Sequence, residues 1–174
     1  MNSKLYVTKY YNSLSTAGVV YALSGFALLG LAVLANDFGL QFYMGFLYPV
    51  LIAALYFIKI GSDAFINAKQ IRQNAINNFD LNGNVFIEEE LKSKQIRREK
   101  MLLFRNISLI LLAVGSIMYF VFSGNSLKFL QGLGMAFIVI GSIGAALFMY
   151  SLFILGKYIA TLLATKASSS SAKN

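Results

Sequence analysis

Four stretches of the chain carry no Asp, Glu, Lys or Arg: residues 10–36, 38–58, 106–127 and 129–156. Each reaches or exceeds the roughly 20 residues a helix needs to cross a hydrocarbon core at a rise of about 1.5 Å per residue. The pattern predicts an all-α membrane protein with four transmembrane helices in two hairpins. Hairpin 1 is expected over 16–60 and hairpin 2 over 103–163. Residues 1–15 place Leu5/Tyr6, Tyr10 and Leu14 near helical spacing. They predict an interfacial amphipathic N-terminus in which tyrosine buries its ring and wets its hydroxyl.

Between the hairpins lies a charged segment, 61–102. Ile60, Ala64, Ala68, Ile71 and Ala75 fall near one helical face, so helix 2 is expected to run beyond the lipid. The turn formers from Asn77 to Asn84 predict a break at 78–86. From Glu88 a new helix is expected, with acidic residues in its first turn and i,i+4 pairs Glu88–Lys92 and Glu90–Lys94 in the favourable order. Helices 2 and 3 would thus extend into a cytoplasmic helical stalk. The polar tail 164–174 is expected to be disordered.

Composition agrees with lipid as the surrounding solvent. Hydrophobic residues make up 57% of the chain and charged residues 13%, against about 25% charged in a soluble domain. The net charge of +8 is distributed unevenly. Of 15 Lys and Arg, only Lys128 falls on the side of the two short turns. By the positive-inside rule the rich side is cytoplasmic and holds both termini. A bacterial inner membrane is the expected location. The positive charge reads as a topology signal beside anionic lipid, with no nucleic-acid partner. A secretory signal peptide ending near Val33-Leu34-Ala35 is the competing reading of helix 1, but the apolar stretch exceeds the usual length.

Candidate chemistry is sparse. The absence of Cys and His removes disulfides, thiolate or imidazole metal ligands and histidine acid–base relays. No enzyme activity, cofactor or metal is expected, and scattered Ser and Tyr show no partner in the sequence. Asp80, Asn82 and Asn84 resemble the first ligands of an EF-hand loop. Val85 stands where its glycine should be, and Glu90 falls one residue before its final carboxylate position. Lys59 and Asp63 could pair where helix 2 leaves the lipid, although a lysine there also snorkels to headgroups. Pro49, the only proline, is a candidate hinge or packing kink.

Small residues form stripes: Gly18, Ala22 and Gly25 on helix 1, and Gly134, Gly141, Gly144 and Ala145 on helix 4. Such stripes let helix backbones approach in lipid. Helix 1 is expected to pack within the chain; for helix 4, contact within the chain and between subunits both stay open. A faint repeat, L-x-F-x-x-G, opens helix 2 (Leu40, Phe42, Gly45) and helix 4 (Leu127, Phe129, Gly132). Duplication and chance explain it equally well.

The expected function is that of a non-enzymatic membrane subunit anchoring or scaffolding a larger complex. Lys92, Lys94, Arg97, Arg98 and Lys100 are the expected contacts for a soluble cytoplasmic partner. The expected surroundings are the bilayer and either further copies of the chain or other membrane subunits. An oligomeric channel or transport component and an immunity protein against a membrane-acting toxin are the alternatives.

Overall fold

The computed structural model describes residues 3–124 and 127–171, and these residues contain helices and no strand. Helix α1 spans Ser3–Leu34, α2 Leu40–Leu81, α3 Gly83–Phe122 and α4 Lys128–Ser171. All four are long and apolar enough to cross a membrane. They have 32, 42, 40 and 44 residues. Each therefore exceeds the roughly 20 residues of a span by half a span or more. The chain has a short-loop end, at the α1–α2 and α3–α4 connections, and a charged end, at the α2–α3 junction.

The connections are brief. A single 3-10 turn, Ala35–Phe38, leads into Gly39, whose φ of 91° is a conformation that glycine adopts without steric cost. At the charged end one residue, Asn82, separates α2 from α3. Its backbone N–H closes α2 on the Asn78 carbonyl at 3.2 Å, and its side-chain oxygen accepts from the Val85 N–H at 3.5 Å. The break expected over 78–86 is thus narrowed to one position. Packing explains the difference: Phe86 and Ile87 are buried in a cluster of all four helices, which holds 83–87 helical despite its Gly and Asn. Helical backbone from Gly83 also leaves no room for a twelve-residue calcium loop, and the Asn84 side chain lies outside the described residues.

Residues 5–15 are continuous with α1, because Val7, Tyr10, Tyr11 and Leu14 face the same cluster at helical spacing. The C-terminal residues continue α4 as far as Ser171; those beyond, 172–174, lie outside the described residues, as do Asn125 and Ser126. Lys166 pairs with Glu88 at 2.8 Å and ties this last part of α4 to the start of α3. The charged end is therefore built by all four helices. The cluster there combines Ala75 of α2, Phe86, Ile87 and Leu91 of α3, and Leu155, Tyr158, Ile159 and Leu162 of α4 with the α1 residues. Arg72 also donates to the Asn12 side chain across α1 and α2 at 2.8 Å.

A second cluster nearer the short loops takes Tyr21, Leu28 and Ala32 from α1, Phe46, Val50, Ala54 and Phe57 from α2, and Ala136, Leu147 and Phe148 from α4. It contains no α3 residue. In its apolar half α3 is attached to α4 through small residues, while most of its surface faces outward.

Glycine sets the interhelical distances. A methyl group on Gly141 would meet the Ser108 carbonyl oxygen and the Leu112 nitrogen at 2.7 Å. One on Gly134 would meet the Tyr119 nitrogen at 2.7 Å, and Gly115 lies opposite it. Gly144 faces the Ser108 hydroxyl, and Ala145 is buried beside it. On the other pair, a methyl group on Gly18 would meet the Gly61 carbonyl oxygen at 2.8 Å, Ala22 lies against Gly61, and a methyl group on Gly25 would meet the Ala54 carbonyl oxygen at 2.7 Å. The stripe on α4 thus faces α3 of the same chain.

The two L-x-F-x-x-G segments meet each other. Gly45 lies against the Phe129 carbonyl, and Gly132 against the Phe42 carbonyl. This reciprocity is what a local two-fold relation between α2 and α4 produces. Pro49 sits one turn beyond the contact within an unbroken α2. Lacking an N–H, it leaves without its usual intrahelical donor the carbonyl of Gly45, the residue where α4 comes closest.

Close backbone approach predicts a sharp divide among glycines. Gly141→Val or Gly45→Val should lower stability by about 3 kcal/mol or more. Gly30→Ala, with nothing within 4 Å of the added carbon, should stay within about 1 kcal/mol of the parent on the stabilising side. Unfolding in mixed micelles measures both.

Candidate functional site

The charged end encloses a polar cluster. Helix α3 contributes Glu90 and Lys94, four residues apart and therefore on one face. Helix α1 contributes Tyr10 and Tyr11, and α4 contributes Tyr158. The Lys94 ammonium lies 3.2 Å from Glu90 Oε1. The same oxygen accepts from the Tyr11 hydroxyl at 2.8 Å and from the Tyr158 hydroxyl at 3.2 Å. Lys94 also donates to the Tyr11 hydroxyl at 3.4 Å.

The rings complete the enclosure. Tyr10 and Tyr158 stack at 3.9 Å with an interplanar angle of 6°. The ammonium lies 5.4 Å from the Tyr10 ring centre and 5.3 Å from that of Tyr11, within cation–π range. Lys94 is only 7% exposed. Its burial pushes its pKa below the ordinary lysine value, and Glu90 opposes the shift. Outside the cluster, the exposed Glu88 is held below the usual carboxylate range by the Lys166 ammonium.

A buried ion pair of this kind adds little net stability when whole, because desolvation offsets most of the attraction. Its effect is geometric. One carboxylate oxygen gathers donors from α1, α3 and α4, so the three helices hold one register. This linkage crosses a gap: among the described residues no Cα of α1 comes within 8 Å of a Cα of α3. Further toward the short loops, the Tyr21 and Ser151 hydroxyls join α1 to α4 at 3.1 Å.

The five basic residues singled out in the sequence are not equivalent. Lys92, Arg98 and Lys100 are exposed, Arg97 is half-buried, and Lys94 points inward at Glu90. Arg97 and Lys100 line a surface groove of about 520 Å³ together with Glu89, Lys92, Ser93 and Ile96. Lys59 and Asp63 are both exposed, and the Asp63 backbone carbonyl accepts from the Asn67 side chain. Among the described residues no group of three or more Asp or Glu side chains gathers to hold a metal ion. No family model, curated protein or solved structure matches the chain.

Sequence reasoning found the Glu90–Lys94 spacing and missed its tyrosine partners, which come from 79 and 68 residues away. Their one local signal is that Tyr10, Tyr11 and Tyr158 stand next to the ends of charge-free stretches, at the depth where a phenol is useful.

Removing one charge leaves the other buried without its counterpart. Glu90→Leu or Lys94→Leu alone should cost about 3–5 kcal/mol. Combining both with Tyr11→Phe and Tyr158→Phe removes every orphaned polar group and should restore most of the loss. Thermal unfolding in detergent, followed by loss of the monodisperse species, tests this non-additivity.

Proposed function

We propose that this chain is a non-enzymatic integral membrane subunit that works by protein contact, with its charged end in the cytoplasm of a bacterial inner membrane. The single observation that carries the reading is the enclosed Glu90–Lys94–tyrosine cluster. It ties the α3 part of the charged segment 61–102 to α1 and α4, and the apolar cluster around it adds α2 through Ala75, so that four helices form one platform. A surface that is already ordered loses less conformational freedom when a partner binds. On that platform Lys92 and Arg98 project outward and offer cations to an acidic soluble partner. The apolar helices beneath it anchor the platform in lipid, and the short opposite turns leave little surface for recognition there.

Orientation is directly testable because the chain has no native Cys. Single cysteines at Lys128 and Glu99, both exposed, should behave oppositely in intact cells. A membrane-impermeant maleimide should label the Lys128→Cys variant, and the Glu99→Cys variant only after permeabilisation.

Partner contact is tested by native purification. A stoichiometric soluble chain should co-purify with the parent protein. Lys92→Glu combined with Arg98→Glu should reduce its recovery at least tenfold, with no change in melting. Recovery of a pure homo-oligomer that conducts ions in liposomes would instead establish a channel.

A further inference from the structure

Below the polar cluster, toward the short loops, residues of all four helices line a partly open cavity of about 200 Å³. Its lining includes Leu14, Tyr21, Ile60, Met101 and Phe104. The polar groups of Tyr21 and Ser151 on its wall are hydrogen-bonded to each other, so the chamber presents an apolar interior. Among the pairs of long helices that touch, α2 and α3 touch least, and residues of both line the space.

Two residues, Arg97 and Lys100, line both this chamber and the polar groove on the outer face of α3. In that groove they stand with Lys92 against one carboxylate, Glu89, which leaves it net positive. Among the described residues the half-buried Arg97 makes no hydrogen bond or ion pair, and the half-buried Glu90 is committed to Lys94, Tyr11 and Tyr158. With no protein anion on it, the Arg97 guanidinium is available to an external one. Both cations lie on the polar side of Leu103, where the apolar run of α3 begins. That is the level at which basic pockets between helices meet lipid headgroups.

We propose that the chamber and groove together form a binding site for one anionic phospholipid. An acyl chain occupies the apolar chamber between the helices. The headgroup phosphate lies on Arg97 and Lys100, with Arg97 supplying the planar, bidentate donor geometry that suits phosphate. The cavity and groove share these two side chains as lining, so a molecule apolar at one end and anionic at the other matches both compartments. The lipid would complete the packing that α3 lacks against α1 and α2, and it would be a component of the fold distinct from the surrounding annulus. Its phosphate contacts, Arg97 and Lys100, differ from Arg98 of the partner contact, while Lys92 borders both.

Full-length protein is reconstituted in nanodiscs holding phosphatidylglycerol and phosphatidylcholine in equal amounts, extracted into mild detergent and weighed by native mass spectrometry. One phosphatidylglycerol per chain should be retained, with at least a tenfold preference over phosphatidylcholine. Arg97→Ala with Lys100→Ala should reduce that retention about tenfold. Lys69→Ala with Arg98→Ala, which removes the same charge from exposed positions outside the chamber, should leave it unchanged. Ala17→Leu, which fills the chamber without touching a charge, should reduce retention of either lipid and keeps the test decisive if the arginine variant does not fold. Equal loss in both charge variants would mean annular lipid only and overturn the proposal. Undiminished retention in the Ala17 variant would also overturn it, as would displacement of the lipid by millimolar inorganic phosphate, which would assign the cations to a free anion.

Discussion

Surrounded by lipid, helices gain little from burying apolar side chains against one another, because the solvent is equally apolar. What remains is dispersion at short range, which depends on how closely two backbones approach. The glycine seams are therefore the constraint on which the other contacts depend. Gly18, Gly25 and Gly61 bring α1 onto α2, while Gly115, Gly134 and Gly141 bring α3 onto α4. Gly45 and Gly132 join the two pairs at the short-loop end. Helix α4 touches all three others, and its glycines face two of them.

At the charged end the physics changes. There the cluster of Tyr10, Tyr11, Phe86, Leu91 and Tyr158 resembles the core of a soluble bundle, and polar groups inside it require partners. Glu90 and Lys94 meet that requirement by drawing hydroxyls from α1 and α4. The result is a clamp whose value is register. The glycine contact between α2 and α4 holds one end of the bundle, the clamp holds the other, and the cavity lies between two fixed ends.

This division of labour connects to the proposed role. The proposed anchor presents a surface, and the clamp ties the α3 part of the charged region to α1 and α4. A helix such as α3, well attached along α4 and poorly attached to α1 and α2, leaves space that lipid can complete. In the two proposals Arg98 faces a protein partner, Arg97 and Lys100 face the chamber, and Lys92 borders both.

Much of this was legible along the chain. Charge-free stretches of span length require helices, because a backbone in hydrocarbon must satisfy its own hydrogen bonds. The small-residue stripes marked Gly18, Gly25, Gly134 and Gly141 for the same local reason. The i,i+4 spacing of Glu90 and Lys94 was likewise visible. Hidden from the sequence was everything that depends on which distant segments meet. Phe86 and Ile87 extend α3 back to Gly83 because other helices bury them. Lys94 turns inward, although a lysine in a charged run is ordinarily solvated, because Tyr11 and Tyr158 arrive from α1 and α4. The repeat around Gly45 and Gly132 gained meaning only when its two copies were seen in contact. Local pattern determines which element a segment forms and which face is apolar; only tertiary structure determines which polar group is given a partner and which, like Arg97, is left facing a cavity.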